Sequence, residues 1–252
     1  MRRTLRRATG ALLSTGMLVT PSLAIATTLD GSSGDDRLTG ASTADVMLGG
    51  AGDDVVLGLG GDDLLLLGPG DDRARAGSGD DTVRGGPGRD RIRAGSGHDV
   101  VLAGADRDGV QGGGGADDLR GGTGPDMILG DDGSDVLWGR AGSDYLIGGA
   151  GADVLYGGRG DDALTDWQPA SLDTTAPDDT DVLRGGSGAD VAGLTQGADR
   201  VFLGADDDAV KLADDGAADE IDCGEGHDTV TYYGAIDTLD VLVGCEDVGL
   251  AG

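Results

Sequence analysis

The feature that most constrains this sequence is an aspartate that returns every nine residues without a break. In each copy the residue two positions after the aspartate is apolar, as Val56 is after Asp54. Glycine stands two positions before the aspartate in thirteen of the fifteen copies. A period this regular is typical of an architecture in which every copy adds the same structural unit. The fifteen aspartates are Asp36, Asp45, Asp54, Asp63, Asp72, Asp81, Asp90, Asp99, Asp108, Asp117, Asp126, Asp135, Asp144, Asp153 and Asp162.

The residue types within one unit limit what it can form. Residues 49–57, Gly-Gly-Ala-Gly-Asp-Asp-Val-Val-Leu, show the complete unit. A helix is disfavoured, because 52 of the 252 residues are glycine and each glycine costs about 1 kcal/mol relative to alanine in a helix interior. Only the last three residues have strand character, so we predict a three-residue strand that turns one side chain inward. Glycine at the fourth position predicts a turn with positive φ.

The unit resembles the Gly-Gly-x-Gly-x-Asp-x-apolar-x nonapeptide of RTX calcium-binding proteins. The resemblance covers residues 31–165 continuously and returns in weaker form towards the C-terminus. It implies an all-β fold, a parallel β-roll (β-solenoid) in which two nonapeptides form one 18-residue turn. It also implies that the glycine- and aspartate-rich hexapeptides are calcium-binding turns, with the fifteen repeat aspartates as metal ligands.

The charge of the chain gives an independent reason to expect a cation. It has 47 acidic and 18 basic side chains, a formal charge of -29. Stacked turns would place Asp54, Asp72 and Asp90 in one column, where neighbouring carboxylates about 4.8 Å apart repel by about 3.5 kcal/mol. Thirteen such pairs exist among the fifteen aspartates, and their summed repulsion rivals the roughly 5–15 kcal/mol that stabilises most folds. We therefore predict several bound Ca²⁺ ions, with folding coupled to their binding.

Other metals and other classes of protein fit the sequence less well. Two histidines and two cysteines offer little for zinc or copper, and Mg²⁺ prefers a strict octahedral site with retained waters. Residues 106–109 begin like an EF-hand loop but lack its final glutamate. A disordered acidic coat is the alternative, disfavoured by the apolar position that every repeat keeps. The acidity also argues against nucleic-acid binding, which requires basic patches.

The two ends of the chain differ from the repeats. Residues 1–26 combine four arginines, an apolar stretch and Ala24-Ile25-Ala26, which predicts a cleaved export signal, with a membrane anchor as the alternative. We therefore expect a secreted, extracellular protein with no membrane span after signal cleavage. The regular roll is assigned to residues 27–165, an insertion loop to 166–180, and degenerate repeats with a C-terminal cap to 181–252. In the last repeats we predict that Asp237 and Leu239 take the aspartate and apolar positions.

The cysteines lie in this degenerate part. Cys223 and Cys245 are the only two, and an even number in an exported protein predicts a disulfide, with two free buried thiols as the alternative. The stretch 222–248 also resembles the endings of secreted actinobacterial-type RTX proteins.

No catalytic constellation is visible, so we expect a non-catalytic protein. His98 and His227 each occupy the variable position before a repeat aspartate, and the sequence has no Gly-x-Ser-x-Gly motif. The main expectation is extracellular calcium binding. The alternatives are a calcium-dependent adhesion or polysaccharide-binding module, or an accessory to a secreted enzyme.

Outward positions are the candidate partner surfaces. Arg73, Arg75, Arg91 and Arg93 should stack on adjacent turns, where they would either bind a sulfated or carboxylated cell-surface polymer or pair with neighbouring aspartates. Two outward apolar groups would contact a partner, such as a secreted protein, or be covered by the insertion with Trp167 or by the C-terminal part. They are Met127, Leu129, Tyr145 and Ile147 on one sheet, and Val136, Trp138, Val154 and Tyr156 on the other.

Overall fold

The computed structural model describes residues 27–166, 180–213 and 216–251. Its regular elements are all β-strands. In chain order they are β1 Thr27–Ser32, β2 Arg37–Thr39, β3 Asp45–Gly50, β4 Val55–Leu57, β5 Leu64–Leu66, β6 Arg73–Ser78, β7 Thr82–Pro87, β8 Arg91–Ser96, β9 Val100–Ala105, β10 Gly109–Gly114, β11 Asp118–Thr123, β12 Met127–Asp132, β13 Val136–Ala141, β14 Tyr145–Ala150, β15 Val154–Arg159, β16 Ala163–Thr165, β17 Val182–Ser187, β18 Val191–Leu194, β19 Arg200–Ala205, β20 Ala209–Ala213, β21 Glu220–Glu225, β22 Thr229–Tyr233, β23 Val241–Val243 and β24 Asp247–Leu250.

These strands form two parallel sheets of twelve strands each. The odd-numbered strands make one sheet, here sheet A, and the even-numbered strands make the other, sheet B. Paired residues lie 18 apart, as Val110 and Ile128 do. The offset rises to 28 between β15 and β17, and to 20 between β19 and β21. Longer connections between strands therefore leave the parallel pairing of the strands unchanged. The predicted parallel β-roll of 18-residue turns is confirmed.

The prediction of three-residue strands was wrong for most of the roll. In β8 the ladder continues past Arg93 to Ser96, because Gly95 pairs with Gly77 and Gly113 on its two neighbours. Gly95 has a φ of 131°, and a Cβ on it would collide with the carbonyl oxygen of Gly77. Glycine therefore suits the second position of the repeat as well as the fourth, because it adopts positive φ where adjacent turns approach closely. Leu59, Asp131 and Arg140 occupy the second position in three repeats, with φ of 85°, 74° and 83°.

The core is a thin double row of side chains between the sheets. Inward positions alternate along each strand, so Asp135, Leu137 and Gly139 are all buried. The first position of the next repeat is therefore a second inward site, which the sequence analysis missed. Where it is not glycine it adds an apolar side chain to the core, as Leu67, Ala94 and Leu203 do.

The C-terminal part continues the roll. Strands β17–β24 are further rungs of the same sheets, and β23 and β24 form the last described turn. The predicted register there was wrong, since Leu242 pairs with Ile221 and exposed Leu239 does not. The cause is a longer connection after Tyr233, which moves the next strand three residues along. Cys223 in β21 forms a disulfide with Cys245, with the two Cα atoms 5.3 Å apart.

Two of the predictions concern residues beyond the described ranges. The export signal at residues 1–26 lies outside them, as does most of the insertion, including Trp167. Across residues 27–166, 180–213 and 216–251 there is no helix with the length and apolarity needed to cross a membrane.

Candidate metal centre

The repeat aspartates line the two edges of the roll, where the chain turns from one sheet to the other. All fifteen are buried, with side chains no more than 6% exposed. The ladder continues in the degenerate repeats, which the sequence analysis did not assign as ligands. The additional buried aspartates of this kind are Asp181, Asp190, Asp199, Asp208, Asp219 and Asp228.

From Asp54 onwards, one oxygen of each repeat aspartate accepts a hydrogen bond from the turn before it. The backbone N–H of Asp72 donates to Oδ1 of Asp90 over 2.9 Å, and that of Asp90 donates to Oδ1 of Asp108 over 2.8 Å. The same bond repeats along both edges and reaches Glu246, whose carboxylate accepts the N–H of Asp228. Each of these hydrogen bonds therefore holds the turn of the accepting aspartate against the turn before it.

The other oxygen, Oδ2, is buried and accepts no hydrogen bond from the protein in most of these residues. A buried carboxylate oxygen without a donor is costly unless it is protonated or bound to a cation. The row includes Asp54, Asp63, Asp72, Asp81, Asp90, Asp99, Asp108, Asp117, Asp126, Asp135, Asp144, Asp162, Asp190, Asp199, Asp208 and Asp228.

These free oxygens face backbone carbonyls of the following turn. A Cβ built on Gly85 would collide with both Oδ2 of Asp90 and the carbonyl oxygen of Ala103, so the two oxygens border one small space. A Cβ on Gly58 would meet Oδ2 of Asp63 and the carbonyl of Ala76 in the same way. Carboxylate and carbonyl oxygens together are the ligands that Ca²⁺ accepts in flexible geometry.

The described part of the chain offers no side-chain cluster suited to a softer metal. In the described ranges no three His, Cys, Asp or Glu side chains gather around one point. An ion at these edges therefore has to draw much of its coordination from the backbone, which suits Ca²⁺ and does not suit Zn²⁺.

Burial makes the ionised aspartates unfavourable when no cation is present. It is the largest cause that raises the pKa of Asp72 to about 6, of Asp90 to about 7 and of Asp108 to about 8. The N–H bond from the preceding aspartate lowers these pKa values, and the charges of neighbouring aspartates raise them. A divalent cation at the edge would favour the ionised forms instead.

Comparison with known families decides what the repeat is. The family model for the RTX calcium-binding nonapeptide repeat matches more than half of the chain, at residues 26–56, 39–74, 66–101, 75–110, 94–128, 111–146, 129–164 and 178–210. The chain belongs to this RTX family. No curated protein matches it. The matched segments of the RTX chain end at residue 210, whereas its buried aspartate ladder continues to Asp228.

A second, exposed row of aspartates in the RTX turns was not foreseen as structural. Asp53 and Asp71 directly precede repeat aspartates, and Oδ1 of Asp53 accepts the backbone N–H of Asp71 over 2.9 Å. Oδ1 of Asp71 accepts the N–H of Arg89 in turn. These bonds run along the roll in the opposite direction to the buried ladder. Turns whose fifth repeat position is acidic are therefore bonded to their neighbours in both directions.

Most of the remaining candidate residues lie on the surface. His98 and His227 are exposed turn residues. The ring of His98 contacts the backbone of Ala116, and the ring of His227 contacts the carboxylate of Asp247.

The predicted outward apolar residues differ in exposure. Trp138 stacks on Tyr156 with ring centroids 3.9 Å apart. On sheet B, Met127 is 50% and Tyr145 40% exposed, whereas Ile147 is buried and Leu129 half-buried. The four predicted arginines are exposed on the same sheet.

Proposed function

We propose that this RTX protein is an extracellular, non-catalytic β-roll that binds several Ca²⁺ ions and folds as it binds them. The observation that carries the proposal is the row of buried Oδ2 atoms with no hydrogen-bond donor. The repeat aspartates would hold the ions together with backbone carbonyls of adjacent turns. The ions would supply the positive charge that lets the carboxylates stay ionised inside the protein.

Coupling between binding and folding follows from how each edge is built. Neighbouring ligands are 18 residues apart in the chain, so an unfolded chain holds no preformed site. In the folded chain without ions, burial and mutual repulsion raise the pKa values of Asp90, Asp108 and their neighbours. An ion that binds only the folded form stabilises it by mass action.

The extracellular assignment has support from three directions. The Cys223–Cys245 disulfide is typical of oxidising compartments. RTX repeat proteins are typically secreted, and residues 1–26 have the composition of an export signal. Extracellular calcium modules commonly have dissociation constants of about 0.1–1 mM, the range that we expect for this protein.

The test is a calcium titration of the chain without residues 1–26, followed by circular dichroism. We expect β-structure to be minor in chelator at neutral pH and to rise cooperatively with calcium, while magnesium at the same concentration has little effect. Equilibrium dialysis on the same sample should give several bound ions per chain. Full β-structure in chelator, or an equal response to magnesium, would contradict the proposal.

A further inference from the structure

Six arginine side chains meet on one side of the roll, on and beside sheet B. Four of them project from β6 and β8, and two lie in the turns that lead into β8 and β10. All six are exposed. We call them the arginine patch: Arg73, Arg75, Arg89, Arg91, Arg93 and Arg107.

The register of the strands makes the patch compact. Arg73 pairs with Arg91 and Arg75 with Arg93 on neighbouring strands. Because Arg91 pairs with Gly109, Arg89 and Arg107, two residues before each, lie opposite one another. With about 4.8 Å between strands and 3.3 Å per residue, the patch covers roughly 10 Å along the roll and 13 Å along β8.

The arginines of the patch have acidic neighbours but form no ion pair in the described ranges. The backbone N–H of Arg89 donates to Oδ1 of Asp71, and the charge of Arg107 partly offsets the rise that burial causes in the pKa of Asp126. In the part of the chain that the structure describes, none of the six guanidinium groups lies within ion-pair distance of a carboxylate, whereas Arg120 pairs with Asp118 and Arg200 with Glu220. The expected alternative, pairing with neighbouring aspartates, is therefore not what the structure contains. Six unpaired cations side by side repel one another, and an anionic ligand would relieve that repulsion.

The outward positions beside the patch on sheet B also lack acid, although β12 ends in Asp131 and Asp132. In the even-numbered strands from β2 to β22, the two residues that flank the buried residue include no aspartate or glutamate. The same positions of sheet A include Asp118, Glu220 and Asp222. In a chain of net charge -29, the acidic side chains thus lie mainly at the turns and on sheet A, and the outward positions of β6 and β8 on sheet B are left cationic.

We propose that the arginine patch binds an acidic polysaccharide, through carboxylate or sulfate groups carried along its chain. A guanidinium group donates two parallel hydrogen bonds to such an oxyanion, a geometry that lysine does not offer. The patch lies on an open sheet face, and exposed Tyr145 on β14 continues that face along the roll. A linear polymer lying along the roll axis would meet arginine on successive rungs.

A narrow polymer fits this surface better than a nucleic acid duplex or a membrane. Exposed Asp53 and Asp71 lie at one edge of sheet B, and Asp62 and Asp80 at the other. A broad anionic surface would approach these carboxylates together with the arginines and be repelled. A single polysaccharide chain can follow the outward positions of β6 and β8 between them, which carry no acid.

The inference rests on the proposed function in one respect, since residues 18 apart form the patch only in the folded, calcium-loaded roll. The experiment therefore uses calcium-loaded protein whose β-structure has been verified by circular dichroism. Binding is measured to hyaluronate as the carboxylated probe, heparin as the sulfated probe and dextran as the uncharged one. We expect binding to at least one acidic probe, none to dextran, and weakening by added salt.

The decisive comparison is between two variants of equal charge. One carries Arg73→Gln, Arg75→Gln, Arg91→Gln and Arg93→Gln; the matched control carries Arg84→Gln, Arg140→Gln, Arg159→Gln and Arg184→Gln, all exposed positions outside the patch. We expect the patch variant to lose roughly tenfold or more in affinity, and the control to change by less than about threefold. Equal losses in both would mean non-specific charge attraction and would overturn the proposal.

A second measurement needs no variant and covers the case in which the patch variant does not fold. Phenylglyoxal modifies accessible arginines, and peptide mapping should show that the acidic probe protects Arg91 and Arg93 but leaves Arg84 reactive. Folded protein that binds neither acidic probe would overturn the inference while calcium-induced folding still stands. Tighter binding to an oligonucleotide or to anionic vesicles, or self-association that depends on the patch, would also overturn it.

Discussion

At the scale of single residues, the sixth position of the repeat needs aspartate because its two carboxylate oxygens have different tasks. In Asp90, Oδ1 accepts the backbone N–H of Asp72, while Oδ2 is buried without a donor beside the carbonyl oxygen of Ala103. Asparagine could still accept the first bond. It would replace the charged oxygen pair with an amide and so provide a weaker cation ligand.

The variant Asp90→Asn separates these two tasks. We expect it to bind at least one calcium ion fewer, and its calcium-induced rise in Tm to be smaller by several degrees, because one of the ionic ligands is lost. In chelator it should keep at least as much β-structure as the parent, since no charge is buried at that position. The matched control is Asp80→Asn, an exposed change of equal charge, and calorimetry and equilibrium dialysis are the measurements. Equal calcium stoichiometry in both variants would contradict the assignment of Asp90 as a ligand.

A glycine prediction belongs to the same scale. Gly95→Ala should lower the free energy of unfolding in calcium by about 1–3 kcal/mol, because φ is 131° and the new Cβ would meet the carbonyl of Gly77. Gly114→Ala is the control, since a Cβ there has no heavy atom within 4 Å. Urea unfolding measures both variants, and similar stabilities would show that a Cβ at position 95 meets no steric penalty in the folded roll.

At the scale of the elements, the sequence predicts best what depends on the period. The inward eighth residue follows from a step of nine, and the parallel roll with its two edges of aspartate follows from the resemblance to the RTX nonapeptide. The length of the strands does not, because their second half is glycine whose pairing across turns depends on close backbone approach. The second inward position was missed because glycine there conceals the alternation, which shows only where Leu67 or Ala94 replaces it.

The last turn shows the limit of reasoning from the period. Asp237 satisfies the nine-residue step, yet it is Oδ1 of Asp240 that accepts the backbone N–H of Asp219. The hydroxyl of Tyr232 donates to Oδ2 of the same carboxylate. Because the connection after β22 is longer, the nine-residue spacing no longer predicts which acidic residue takes the repeat aspartate position. In the folded protein the side chain of Tyr232, which is buried in the core, favours Asp240 by donating a hydrogen bond to it.

The disulfide fastens this irregular end to the regular roll. It joins Cys223 in β21 to Cys245, across a separation of 22 residues. Replacing both cysteines by serine should cost about 3 kcal/mol through the greater freedom of the unfolded chain. Limited proteolysis in calcium should then cut the last turns, β21–β24, before the turns of the regular repeats. A variant cut evenly along its length would show that the disulfide does not stabilise this end selectively.

At the scale of the whole molecule, negative and positive side chains lie in different parts of the roll. The edges hold buried aspartates that need cations, and the outward positions of β6 and β8 on sheet B hold arginines that form no ion pair in the described ranges. Calcium at the edges would neutralise much of the acidic charge and leave the arginine patch as the main cationic feature of sheet B. Ion binding and the proposed polysaccharide binding are thus linked through the folding of one roll.

Without calcium, protons should take over part of the task of the ions. The pKa values of Asp72, Asp90 and Asp108 are raised to about 6, 7 and 8 in the folded chain, whereas an unfolded aspartate titrates near 3.9. Between about pH 4 and pH 8 the folded chain therefore holds more protons than the unfolded chain. Its free energy of unfolding must fall as pH rises through this window, and the stabilisation is fully present only at the acidic end.

In chelator we therefore expect more β-structure and a higher Tm near pH 5 than near pH 8. With saturating calcium the trend should flatten or reverse, because protons then compete with the ions for the same oxygens. Circular dichroism measures both series, and sedimentation velocity separates folding from acid-induced association. Chelated protein with no more β-structure at pH 5 than at pH 8 would show that charge on the buried aspartates is not what keeps the calcium-free chain unfolded.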